Sequence, residues 1–245
     1  VMRMYDFFEY ERKLVLVLEQ AEGASLAKIT QSLGRRKQKL GDNAILYIAV
    51  ELASALAHAH AAIDEDGNAA PVIHRNVNPE NVLVSWDGRV KLAGFGLGKI
   101  LGQTPDSVAG TVTGTPGFMA PEQARGERST VRSDVYALGA LLWSLFADAE
   151  PPGDGQRPVS ISTLRPDIPR EIAAAIEASL ELSPDKRRIS CHELAQWASK
   201  MTNAEKGREE LRQKALSLRS ARDTVDAPRA APRPVKQRTR RRAAV

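Results

Sequence analysis

The sequence predicts a mainly α fold with small β-hairpins, an α+β domain, and three observations carry that expectation. Residues 42–62 and 133–149 are long apolar segments at helical spacing. Two pairs of short β-prone runs flank turns near Glu11 and Gly88. Hydrophobic residues make up 42% of the 245, enough for one sizeable core or two small ones.

Each element follows in chain order. KLVLVLEQ (13–20) is β-branched and aliphatic and reads as a buried strand, which MYDFFEY (4–10) can pair through a turn at Glu11 and Arg12. From Asp42, an expected N-cap, the chain places Ile45, Ala49, Leu52, Leu56 and Ala59 on one helical face. VLVSW and RVKLAG form a second hairpin around Asp87 and Gly88. SDVYALGALLWSLFADA is apolar nearly all round, so its helix is expected to run through the core. PREIAAAIEASLELS and SCHELAQWASKM open on Pro and Ser start signals and add two helices. NAEKGREELRQKALSLRSARDT (203–224) carries only a thin apolar stripe of Leu211, Ala215 and Leu218, which predicts an exposed helix.

Charge and cysteine content exclude several classes. The net charge is +5, but residues 226–245 hold seven Lys/Arg against one acid, a net of +6 that leaves −1 for the rest. The basic balance therefore belongs to the tail, whose Pro and Ala pairs disfavour packing, and the body gives no reason to expect nucleic acid as its partner. Cys191 has no cysteine to pair with and there is no Cys/His cluster, which suits a reducing cytoplasm. No apolar run approaches the ~20 residues that span a bilayer, and no basic-then-apolar leader opens the sequence.

Four motifs carry the chemistry. His74-Arg75-Asn76-Val77-Asn78-Pro79-Glu80-Asn81 is followed by Gly94-Phe95-Gly96, then by Gly114-Thr115-Pro116-Gly117-Phe118-Met119-Ala120-Pro121-Glu122, then by Ser133-Asp134-Val135-Tyr136. Each is weak alone. In this order and spacing they resemble the C-terminal lobe of a bacterial serine/threonine protein kinase, over roughly residues 1–200. The resemblance implies a kinase-like large lobe (25–200) preceded by remnant small-lobe strands and hinge (1–24), then the exposed helix (201–225) and a disordered basic tail (226–245).

The departures from the family pattern fall on the reaction. In the kinase template a loop Asp steers the substrate hydroxyl proton, and an Asp before Phe-Gly holds Mg²⁺ against the phosphates. Here Asn76 stands at the first position, and its amide has no useful basicity. Gly94 stands at the second and offers no ligand at all to a hard cation. Asn78 takes the place of the loop Lys and removes a positive charge from the transferred phosphoryl group. Asn81 resembles the second metal ligand; a loop-capping amide is the equal alternative. The Gly-rich loop, the phosphate-pairing Lys and the Glu of the mobile helix have no counterpart in this sequence.

The resemblance also assigns structural roles. Asp134 would hold the backbone of the His74 loop, Glu122 would pair with Arg187, and His74 and Phe95 would pack beneath the cleft beside Gly96. Thr111, Thr113 and Thr115 match a region that is phosphorylated in relatives, with Arg75 as the expected partner of such a phosphate, unless they are plain solvated loop residues. The segment 148–163 is too polar and broken for the long docking helix the family places there. The basic run from Lys236 to Arg242 reads as a solvated tail, a contact for anionic lipid or nucleic acid, or the flank of a membrane helix if the chain continues beyond Val245.

Two functions follow from these residues. One is a non-catalytic signalling module, a pseudokinase that expects no cofactor and binds a protein partner such as an active kinase. The alternative is a fragment or diverged copy of a serine/threonine kinase, with residual binding of ATP and magnesium and phosphotransfer to protein.

Overall fold

The computed structural model describes residues 1–11, 13–95, 116–153 and 156–225. Strands β1 (Met4–Tyr10) and β2 (Lys13–Leu18) pair antiparallel, with Glu11 at φ 48° in the turn. The first hairpin thus forms where expected, but β2 is not a buried strand: Val17 and Leu18 are 39% and 42% exposed. The physical reason is that a two-stranded ribbon cannot bury both faces, and the core of the domain lies under the helices. The ribbon is tied to the rest by the Met2 amide, which donates to the Leu92 carbonyl at 3.0 Å, and by Lys91 to Glu19 at 2.6 Å.

A second, three-stranded antiparallel sheet is ordered β3–β4–β5, from Gly23–Ser25, Val82–Ser85 and Val90–Leu92. Its inward residues Ala24, Val82, Val84, Val90 and Leu92 alternate with outward ones as a one-sided sheet requires. Ser25 ends β3 and caps helix α1 (Leu26–Arg35) by accepting from the Lys28 amide. Sequence reasoning missed α1, although Leu26, Ile29 and Leu33 bury one face at helical spacing.

Helix α2 (Asp42–His60) forms as expected, capped by Gly41 rather than by Asp42. Three more follow: a one-turn α3 (Pro121–Ala124), the long α4 (Val131–Ala147) and a one-turn α5 (Ile161–Leu164). Helix α4 is buried almost without break from Ser133 to Trp143, so it is the central pillar its all-round apolarity predicted. Helix α6 (Arg170–Ser179), a 3₁₀ turn (Pro184–Lys186), α7 (Cys191–Met201) and α8 (Ala204–Val225) complete the chain order. Helix α2 packs against α4, α7 and α8, which makes it the second axis of the core.

The expectation of an exposed helix over 201–225 is corrected. The stripe is thin, yet Leu211 and Ala215 are fully buried and Leu218 packs against the same core. Close approach explains it: a Cβ at Gly207 would stand 2.4 Å from the Asn43 carbonyl oxygen, so only glycine lets α8 settle this near α2. Polar ties fix its N-terminal part, with Arg208 on Asp87 at 3.0 Å and Glu210 accepting from the Gly41 amide at 2.6 Å. Among the described residues no helix is long and apolar enough to cross a membrane.

Candidate phosphoryl-transfer site

The His74–Asn81 loop leaves the end of α2 and re-enters the sheet at β4, and Asp134 in the first turn of α4 sets its shape. The Asp134 carboxylate accepts from the backbone amides of His74 and Arg75, both at 2.8 Å, and contacts His60 Nε2 at 2.8 Å. Asp134 is fully buried, and three partners supply what burial removes. Arg75 is thereby held at φ 69°, a conformation that a non-glycine residue keeps only when its surroundings over-determine it. Gln123 of α3 adds a bond to the Arg75 carbonyl at 3.0 Å.

His74 is buried and stacks edge-on against Phe95, with ring centroids 4.5 Å apart. Its Nε2 donates to the Ala93 carbonyl at 2.8 Å, while Nδ1 accepts from the Asn76 amide at 3.3 Å. Burial pushes the imidazole below its ordinary value, against the pull of Asp134 and the Ala93 carbonyl. A neutral ring serves here as a rigid peg between the loop and β5.

The outer face of the loop is a net of amides. Asn78 is buried and its Nδ2 donates to Asn76 Oδ1 at 2.7 Å, while its Oδ1 accepts from the Glu80 and Asn81 amides at 2.9 and 3.1 Å. Asn81 Nδ2 donates to the Asn76 carbonyl at 2.8 Å. The Asn76 side-chain oxygen is therefore already engaged by a neutral donor. Beside it, Gly94 sits at φ 92°, and a Cβ built there would stand 3.6 Å from the Asn81 side chain. A Cβ at position 94 would therefore rest in ordinary contact with Asn81, on a backbone conformation that favours glycine.

The residues present do not fit a magnesium ion. A hard divalent cation asks for several oxygens, anionic ones among them. With Asn81 Nδ2 committed to the Asn76 carbonyl, this corner offers the neutral Oδ1 of Asn81. Among the described residues no group of three or more His, Cys, Asp or Glu could hold a metal.

Farther out, Glu122 and Arg187 meet in a bidentate pair at 2.6 and 2.7 Å, both buried. Ser133 donates to Glu122 at 2.8 Å, and Arg187 also donates to the Arg132, Glu181 and Leu182 carbonyls and lies over the Tyr136 ring. Burial alone would raise the Glu122 carboxyl, but the bonds from Arg187 and Ser133 and the Arg187 charge outweigh it and hold it below its ordinary value. The structure thus brings together His74, Asn76, Asn78, Asn81, Gly94, Phe95 and Asp134, with Glu122 and Arg187 as a separate brace. Gly96, Thr111, Thr113 and Thr115 lie outside the described residues, as does the tail from 226 on. His60 and Gln123 were missed by sequence reasoning; the histidine in the last turn of α2 was the available signal. Between α1, the loop and the end of α4 runs a groove of about 500 Å³, lined by Lys28, Gln31, Pro79, Glu80, Phe118 and Glu150 among others.

A model of the protein kinase domain matches residues 1–205. The chain belongs to the protein kinase family. It is 32% identical over 187 residues to a probable serine/threonine-protein kinase PknB of Lactococcus lactis, covering 76% of this chain and 26% of that protein. It is 32% identical over 174 residues to the serine/threonine-protein kinase PknL of Mycobacterium tuberculosis, covering 71% of this chain and 41% of the relative. The chain therefore spans about a quarter to two-fifths of the length of these kinases. The crystal structure of the M. tuberculosis PknI kinase domain superposes with a TM-score of 0.62 at 28% identity, over 82% of this chain and 72% of that one. Relatives and fold agree on a bacterial serine/threonine kinase lineage with its large lobe formed.

Proposed function

We propose that this kinase-family chain is a pseudokinase, a non-catalytic signalling module that keeps the large-lobe scaffold and acts by binding another protein, an active kinase being the partner class it suits. One observation carries the reading: Asn78 Nδ2 occupies the Asn76 side-chain oxygen at 2.7 Å where a proton acceptor is needed. The side-chain-free Gly94 beside Asn81 supports it from the metal side. The chemistry asks for two carboxylates, and amides and a glycine answer. The exposed ribbon suits a partner role, since Tyr5 and Tyr10 are each 62% exposed and Phe8 and Met4 46% each. A cytoplasmic position, at the inner membrane face if the chain runs on past Val245, fits the cysteine content and the basic tail.

The second reading is a diverged kinase that retains weak ATP and magnesium binding, and the free Oδ1 of Asn81 favours it. Thermal unfolding with Mg²⁺–ATP separates the two. Ligand stabilisation follows RT ln(1 + [L]/Kd), so millimolar nucleotide adds less than about 1 kcal/mol where Kd is millimolar or weaker. The pseudokinase reading expects that small shift; a rise of several degrees at micromolar ATP would favour the diverged kinase instead.

A further inference from the structure

We propose that the turn between α1 and α2, together with the adjoining stretch of α8, forms a landing surface for an anionic phospholipid bilayer. The two elements meet where Arg36 Nη2 donates to the Ser217 carbonyl at 3.4 Å. Around that bond lie Arg35, Arg36 and Lys37 of the turn and Arg219 of α8, all exposed, with Lys214 half-buried one helical turn back.

Four acids at this end of the molecule are already engaged. Asp148 is taken by Lys39 at 3.2 Å, Asp87 by Arg208 and Arg89 at 3.0 Å each, and Glu209 by Arg212 at 2.7 Å. Glu210 accepts from the Gly41 amide. The charge of the whole chain follows the same division. Residues 35–39 hold four cations and no acid, and residues 204–245 hold thirteen Lys/Arg against five Asp/Glu, so these two segments carry +12 and the remainder −7. The positive charge is thus concentrated in these two segments of the sequence, and the sequence of α8 continues into the seven cations of 226–245.

The chemistry favours lipid over nucleic acid. Single strands are gripped by aromatic side chains that stack bases, and the ring at this surface, Trp86, is half-buried with the Arg219 guanidinium over it at 5.6 Å. Exposed cations whose one neighbouring ring is already covered by Arg219 suit a planar anionic surface, which gathers them additively at about five-fold in affinity per Lys or Arg.

The test is cosedimentation of the full chain with vesicles of phosphatidylcholine alone or with phosphatidylglycerol added. Binding is expected to the mixed vesicles only, weakening as salt shortens the Debye length. Combining Arg35→Gln, Lys37→Gln and Arg219→Gln should lower partitioning about a hundred-fold. These positions are exposed, so the melting temperature should move by no more than the loss of the one Arg219–Trp86 contact; the single reversal Lys37→Glu, expected to cost about 30-fold, gives the same readout if the triple variant is unstable. A full-length variant with every Lys and Arg of 226–245 changed to Gln should keep salt-sensitive binding that the triple substitution then removes. The proposal is overturned if the mixed vesicles are not bound, if neutralising the tail abolishes binding while the triple variant binds like the parent, or if duplex DNA binds more tightly than the vesicles at the same salt.

Discussion

The Glu122–Arg187 brace and the outer face of the His74–Asn81 loop are both polar sites built from family motifs, and they have been treated in opposite ways. At the brace and at Asp134 every carboxylate is present, buried and fully bonded. At the loop face stand the uncharged Asn76, Asn78 and Gly94, which on the proposed reading take the places of charged catalytic residues. A carboxylate that holds the fold cannot be exchanged for an amide without orphaning its partners, whereas one that serves only a reaction can. If the pseudokinase reading proposed above holds, the contrast teaches that the charges kept are those the native state itself needs.

The largest expected effect comes from breaking the brace. Arg187→Ala leaves Glu122 as a buried charge with Ser133 alone, which should cost about 3–5 kcal/mol and is checked by urea unfolding. A second route to the same pair is acid. Both the Glu122 carboxyl and the His74 imidazole lie below their ordinary values in the folded state, so the unfolded chain binds more protons as pH falls. Their contribution is complete above the ordinary histidine value of 6.5 and is lost first through His74 below that pH. The Glu122 share follows below 4.5. Melting temperature measured against pH should therefore hold flat near neutrality and fall on the acid side, with Arg187→Ala removing the lower part of the fall.

Next in size is the docking of α8. Leu211→Ala should destabilise by roughly 2–5 kcal/mol if that residue is as much core as any in α4; a change within about 0.5 kcal/mol would mark α8 as an appendage. At the loop the effects on stability should be small. Gly94→Asp places its Cβ in ordinary contact with Asn81 but imposes a left-handed conformation on a side chain, at about 1–2 kcal/mol. Asn76→Asp keeps the acceptor for Asn78 and should move stability by no more than about 0.5 kcal/mol. A loop substitution as costly as Arg187→Ala would erase the contrast between the two regions.

Much of this architecture was legible in the sequence because it rests on periodicity and on motifs read in register. The all-round apolarity of 133–149 announced the pillar, and the resemblance to the kinase family, carried by four motifs in order, implied the partners of Asp134 and the Glu122–Arg187 pair. What was not legible depends on approach between distant segments. Three stripe residues looked too few to bury α8, since nothing local to residue 207 shows that its missing side chain admits Asn43. The short run Gly23–Ser25 gave no strand signal because its pairing is supplied by β4. The amide net at the loop was readable only as substitutions; that Asn78 turns inward and takes the Asn76 oxygen is a fact of geometry.

The most direct test of the central claim is transfer of radiolabelled phosphate from ATP, with magnesium, to the chain itself and to a generic basic protein substrate. No incorporation above background is expected from the parent chain, and none that responds to Asn81→Ala. Incorporation by the parent that disappears with Asn81→Ala would contradict the account, because it would show that the amide net around Asn76 still supports phosphoryl transfer.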